Sequence, residues 1–280
     1  MTKPIRYEDR YCLFLDILGF KDVVEQSVQP TTKVSTSGGR HPVGGIYFGL
    51  KEIASSLKYK AVLVLPGGTT KNSSRVVTQF SDSVVVSYRE KESGGLASML
   101  YDVLRLQLRL VQRGLLVRGA ITMGPLHHDQ DFVFGPALNE AAELEKVAMY
   151  PRVIVDRDLL SAAGVATSST VKTARSWERS LANLLAQDLD GMFYVDYFAV
   201  HPEDFDDDWG DLCEYLISLR EVVKGLAQRR HPSLRLKHSW LRQKFNGVAA
   251  DVERSQFQFL GEHRIPDNEV DHFYSVRPFK

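Results

Sequence analysis

Apolar residues along this chain fall into two spacings, and the switches between them mark the elements. Tyr11 to Leu15 is a continuous apolar run that predicts a buried strand, closed by the carboxylate of Asp16. Gly19 allows a tight turn, and Phe20 to Val24 begins an amphipathic helix. Residues 30–46, rich in Ser, Thr, Gly and Pro, predict a loop. Ile46, Leu50, Ile53, Ala54 and Leu57 then recur at helical spacing. Ala61 to Leu65 predicts a strand, and Pro66 to Ser74 a polar loop. Arg75 to Tyr88 carries two β-branched runs around Ser81-Asp82-Ser83, a hairpin pattern with an acid at its tip. Leu100, Leu104, Leu108 and Val111 share one face of a long helix over residues 96–112. Leu115 to Gly124 reads as a strand ending in glycine, and His127 to Asp131 as a polar turn with solvated histidines. Phe132 to Gly135 predicts a short strand, and Pro136 opens a helix over residues 137–148 that places Asn139 and Glu143 on one face. Arg152 to Val155 predicts a further strand.

Beyond residue 156 the pattern is less regular. Residues 158–163 and 175–186 predict helices, and residues 193–200 a strand. The acidic run at residues 203–208 predicts a solvated loop with no metal role. Residues 211–228 and 233–251 predict helices, the second with Trp240, Leu241, Phe245 and Val248 on its apolar face. Residues 262–280, polar and containing Pro266 and Pro278, predict a frayed end.

Composition narrows the function class. The 280 residues carry 35 basic and 35 acidic side chains, a balance that argues against a general binder of nucleic acid or of membrane surfaces. No run of about 20 apolar residues predicts a membrane span, and no signal peptide is seen, so a cytoplasmic protein is expected. Cys12 and Cys213 lie far apart with no ligand cluster around either, which argues against a disulfide framework or a cysteine zinc site.

The chemistry concentrates at Asp16 and Asp82. Each has a plain reading, as a turn cap or as turn chemistry. If their strands are neighbours, the two acids can instead bind one or two divalent ions against a triphosphate, with backbone N–H groups of the Ile17 to Phe20 turn on phosphate oxygens.

Four segments in order resemble the class III nucleotidyl cyclases over roughly residues 10–156. Phe14-Leu15-Asp16-Ile17-Leu18-Gly19-Phe20 looks like the first metal motif, and Gln79-Phe80-Ser81-Asp82-Ser83 like the hairpin with the second metal aspartate. Residues 117–125 are similar to the following core strand, and residues 134–142 resemble the segment whose asparagine, here Asn139, orients the ribose. The resemblance implies an α+β fold, with an antiparallel or mixed sheet flanked by helices and a helical C-terminal extension. Residues 1–160 would be the cyclase catalytic core, and residues 161–280 the remainder of the fold. It also implies a head-to-tail homodimer with Mn²⁺ or Mg²⁺, two ions per site. Asp16, Asp82 and the Ile17 carbonyl would serve the metals, Gly19 and Phe20 would flank the phosphates, and Asn139 would come across the interface.

Three departures qualify the resemblance. The two purine-reading positions hold Thr78 and Phe132, and Glu143 replaces the arginine four residues after the asparagine. Arg118, Lys146, Lys237 and Lys244 are candidates for the missing cation. A smaller pocket without purine readers is similar to the pyrimidine cyclases of bacterial Pycsar anti-phage systems. That implies conversion of UTP to cyclic UMP and pyrophosphate, with a separate cyclic-nucleotide-activated effector protein. CTP as substrate, or a degenerate nucleotide-binding module, are the alternatives.

Overall fold

The structure, a computed structural model, describes residues 6–28, 42–58, 62–64, 70–165, 181–200, 202–205, 208–228, 231–254, 273 and 275–280. In chain order the elements are β1 (Glu8–Ile17), α1 (Phe20–Ser27), α2 (Pro42–Lys58), β2 (Val62–Val64), β3 (Thr70–Asn72), β4 (Val76–Phe80) and β5 (Ser83–Arg89). Then come α3 (Gly95–Gln112), β6 (Val117–His128), β7 (Val133–Phe134), α4 (Pro136–Val147), β8 (Val153–Val155) and α5 (Arg157–Ala162). The chain ends with β9 (Leu185–Gln187), β10 (Phe193–Val195), a 3₁₀ turn (Pro202–Asp204), α6 (Asp208–Ala227) and α7 (Pro232–Arg254).

An eight-stranded sheet runs β4–β5–β1–β6–β8–β10–β9, with β7 pairing beside β6. Its pairings are antiparallel except β6–β8, which is parallel, so the sheet is mixed as expected. The β8–β10 pairing carries the sheet past residue 160. β2 and β3 make a separate two-stranded ribbon.

The alternation of β1 divides the molecule into two faces. Tyr11, Leu13, Leu15 and Ile17 enter the main core with Met99, Leu100, Val103 and Leu104 of α3, and with Trp240, Leu241, Phe245 and Val248 of α7. The apolar helix faces read from the sequence are therefore the buried ones. On the opposite face Cys12, Val85 and Leu126 form a small cluster with Ala137 and Ala141 of α4. Small residues there let α4 lie close to the sheet. β1 and β6 also pack tightly: a Cβ at Gly119 would stand 2.6 Å from the Phe14 carbonyl oxygen, so only glycine fits.

A buried cation ties the C-terminal part to this core. The Arg152 guanidinium, fully buried, donates to Asp188 at 2.8 Å and to Asp190, and its Nε donates to the Ala148 carbonyl. Trp240 Nε1 donates to the same Asp188.

Several boundaries differ from expectation. β1 continues through Asp16, because the register with β5 and β6 holds to the strand end. α2 begins at Pro42, inside the expected loop, with proline at a first position that suits it; residues 30–41 lie outside the described ones. The expected 66–74 loop contains β3, and residues 66–69 are outside the description. Leu185 to Gln187 is a strand, not the end of a helix, since it pairs with β10; residues 175–180 of that expected helix are not described. β10 stops at Val195, short of Val200. In the acidic segment residues 202–204 form a 3₁₀ turn, with 206 and 207 outside the description. The expected frayed end is anchored where it is described. Phe273 and Val276 are buried, and the Asn246 side chain brackets the Phe279 backbone at 2.7 and 3.0 Å. Residues 262–272 and 274 are not described.

Candidate active site

β6 gives the largest correction. It does not end at Gly124 but runs on to His128, and its alternation turns that side chain inward. His128 is 7% exposed, against the expectation of a solvated histidine. Its Nδ1 lies 2.8 Å from Ser87 Oγ and its Nε2 lies 3.0 Å from Thr78 Oγ1. Arg10 Nε donates to the same Ser87 Oγ at 2.8 Å, and the rest of its guanidinium reaches Glu8 and the Ser74 carbonyl. Burial and the nearby Arg10 charge push His128 down to about 4. The signal for this was the period of two through Thr122, Gly124, Leu126 and His128, had the strand been extended past its glycine.

The carboxylates occupy the other end of the same sheet face. Asp16 stands opposite Ser83 on β5 and Arg118 on β6. Ser81, at a φ of 55°, bends the β4–β5 tip and brings Asp82 beside Asp16. Ser83 Oγ donates to Asp16 Oδ1 at 3.4 Å. Burial, followed by the Asp82 carboxyl at hydrogen-bonding range and by Glu145, pushes Asp16 up to about 6. Among the described residues no group of three or more His, Cys, Asp or Glu could hold a metal ion. A carboxylate pair in which the Asp82 carboxyl raises the proton affinity of Asp16 still has the chemistry a divalent cation relieves, so Asp16 and Asp82 fit such an ion.

The four candidate cations each have an acidic side chain nearby. Arg118 Nε donates to buried Glu145 of α4. Lys237 is held below its usual range by burial and by Arg118, against the opposing pull of Glu145, so its ammonium shares their neighbourhood. Lys146 pairs with Glu143 at the surface, and Lys244 with Asp188 at 3.4 Å. Glu145 and the placement of Lys237 were not foreseen, because both depend on how α4 and α7 cross the sheet.

Gly19 takes a φ of +74° in the turn after β1, a conformation that favours glycine. With Leu18, Asp22, Leu116, Ile217 and Lys237 it lines an open cleft of ≈ 580 Å³, a size suited to a small ligand. Phe20 starts α1 and is half-buried. Asn139 is exposed on α4, and Phe132 is 67% exposed. Among the described residues neither makes a side-chain hydrogen bond to the carboxylate pair, so within one chain the structure joins Asp16 and Asp82, sets Gly19 in a cleft whose lining includes neither acid, and does not bring Asn139 or Phe132 to them.

No family model matches the chain, and no curated protein matches it. Solved structures that are similar to it include the adenylyl cyclase CyaB from P. aeruginosa, at 13% identity and TM-score 0.39 over 56% of this chain and 80% of that one. A bacterial light-regulated adenylyl cyclase is similar at 12% identity and TM-score 0.39, over 77% of this chain and 98% of the other. A class III adenylyl cyclase-like ATP-binding protein from Pseudomonas aeruginosa is similar at 11% identity and TM-score 0.39, over 65% of this chain and 42% of that protein. At these identities the function has to be argued from the chain's own residues.

Proposed function

We propose that this chain is a nucleotidyl cyclase of class III type that converts UTP to 3′,5′-cyclic UMP and pyrophosphate. The observation that carries the proposal is the facing pair of carboxylates, Asp16 at the end of β1 and Asp82 in the turn of the adjacent β4–β5 hairpin. Asp16, Asp82 and the Ile17 carbonyl are the groups that would hold Mn²⁺ or Mg²⁺. Bound there, two such ions would supply a lowered proton affinity at an attacking hydroxyl and positive charge at a pyrophosphate leaving group. The chain's residues supply the rest. The Gly19 turn and Phe20 would border the triphosphate, Arg118 stands opposite Asp16, and Lys237 adds positive charge near Arg118 and Glu145. In the reaction the ribose 3′ oxygen forms a bond to the α-phosphorus and gives its proton to solvent, while the bond from that phosphorus to the bridging oxygen breaks and pyrophosphate leaves with that oxygen.

A homodimer is part of the proposal. Asn139 is exposed where a second chain can use it, and Phe80, 81% exposed, Phe132, Phe134 and Tyr7 are exposed aromatics. Exposed aromatics of this kind fit a protein interface. Pyrimidine choice is supported by Thr78 and Phe132 at the base-reading positions, where no charged purine reader stands. The Pycsar resemblance extends the proposal to an anti-phage messenger made in the cytoplasm and read by a separate effector. Among the described residues no helix is long and apolar enough to cross a membrane.

The test is incubation of the purified protein with ATP, GTP, CTP and UTP separately, in Mn²⁺ and in Mg²⁺, with products identified by mass. Cyclic UMP and pyrophosphate are expected. A cyclic purine would refute the base assignment, and nucleotide binding with no pyrophosphate released would leave a degenerate module.

A further inference from the structure

The cleft beside the Gly19 turn lies on the other side of the sheet from the acidic pair. β1 alternates, so Leu15 and Ile17 enter the core with α3 and α7, whereas Asp16 falls with Phe14 and Cys12 on the face that α4 covers. The cleft is lined from the first side, by the end of α3, by α6 and by the start of α7, and its volume is ≈ 580 Å³. Its floor is held together, because Leu18 N donates to the Leu116 carbonyl at 2.8 Å and joins the turn after β1 to the segment before β6. Its apolar walls are aliphatic throughout, and no aromatic ring among the lining residues offers a nucleotide base a surface to stack on. Leu18, Val222, Leu226 and Leu234 are half-buried and Ile217 is 37% exposed, so aliphatic groups that border one cleft face water.

Two further residues say what fits there. Gly225 lies within α6, where glycine costs about 1 kcal/mol relative to alanine, yet a Cβ at this position would meet nothing within 4 Å. Close packing does not call for glycine here; the missing side chain leaves room in the cleft. Lys237 of α7 brings a half-buried cation into the aliphatic lining, and its Nζ makes no hydrogen bond or ion pair among the described residues. The other charges of the lining differ. Arg113 pairs with Glu52 at 3.0 Å, Glu221 pairs with Lys224, and Asp22 is exposed on α1. We propose that this cleft binds a medium-chain aliphatic carboxylate, its chain against Leu18, Ile217, Val222 and Leu226 and its carboxylate accepting from Lys237. Burial of the chain gains about 0.8 kcal/mol for each methylene, and the carboxylate gives the ammonium the charge-assisted partner it lacks. Neither part depends on the cyclase reading.

The test is binding of decanoate to the full chain by calorimetry, without nucleotide or divalent ion, beside decyltrimethylammonium, which has the same chain length and the opposite charge. The wild type is expected to bind one decanoate per chain and to hold decyltrimethylammonium about tenfold more weakly or worse, the size of one charge-assisted hydrogen bond. Lys237→Met weakens decanoate by about tenfold and brings the two probes together. Gly225→Leu fills the cleft and abolishes saturable binding of both probes, while its Tm equals or exceeds that of the wild type, since leucine is the better helix former. The Tm separates a filled cleft from an unfolded chain, and Lys237→Met reads the charge independently of that variant. No saturable binding by the wild type, equal affinity for the two probes, or decanoate binding that survives Gly225→Leu would each overturn the proposal. A wild-type dimer that Gly225→Leu converts to monomer in sedimentation would assign this face to a second copy of the chain and overturn it too. Decanoate bound as expected, with no cyclic product from any nucleotide, would sustain the site and refute the cyclase reading alone.

Discussion

Asp16 shows how a single residue can hold stability against function. Its folded proton affinity is raised from 3.8 to about 6, so the ionised form opposes folding. The stability it contributes is present below about 4 and is lost as pH rises through about 6. Above that window Asp16→Asn should stabilise the metal-free protein by about 1 kcal/mol, after allowance for partial solvent screening, while abolishing product formation. Urea unfolding at pH 7.5 beside a product assay checks both halves; a destabilised variant would count against the repulsive pair. Mn²⁺ should raise Tm in the wild type and have no such effect when both acids are replaced by asparagine. His128 runs the other way. An unfolded histidine takes up a proton below about 6.5 and the buried one only below about 4. Its stability contribution therefore falls as pH drops between those values. Because Asp16 moves oppositely over the same range, the comparison to make is wild type against His128→Gln across pH 4 to 7.

At the scale of elements, the molecule depends on two close joints. β6 lies against β1 through Gly119, where a methyl group would overlap the Phe14 carbonyl. Gly119→Ala should cost about 2 kcal/mol or more and lower activity with it, since β1 and β6 carry Asp16 and Arg118. Arg152 is the second joint, connecting the residues after α4 to the β9–β10 turn acids and, through Asp188, to Trp240 of α7. Arg152→Met leaves Asp190 without its cation and Asp188 with Lys244 alone at 3.4 Å, and a loss of about 3 kcal/mol is expected from chemical denaturation. A loss under about 1 kcal/mol would show that this network contributes little.

For the whole molecule the prediction concerns two chains together. If Asp82 and Asn139 serve one site from different chains, Asp82→Ala and Asn139→Ala are each inactive alone. Mixing them gives half heterodimers by random pairing, each with one intact site in two, so about a quarter of wild-type activity should return. Sedimentation of the mixture shows whether the dimer forms. No recovery from a mixed dimer would place Asn139 outside the site.

The pattern along the chain suffices for the elements whose apolar period is long and uninterrupted. α3 and α7 bury the faces that their spacing marked, and the hairpin around Asp82 forms where β-branched runs flank a turn. It also marked Asp16, Gly19 and Asp82, because a carboxylate or glycine at the end of an apolar run stands out locally. Boundaries set by a partner strand were not legible. β1 passes through Asp16, β6 passes through Gly124, and Leu185 to Gln187 is a strand because β10 pairs with it. Which polar side chains meet depends on the assembled sheet: His128 with Ser87, Thr78 and Arg10, and Arg118 with Glu145 and Lys237. The physical reason is range. Periodicity records what a residue's near neighbours require, whereas the direction of a hydrogen bond or the pairing of a buried charge depends on elements that meet only when the sheet is assembled.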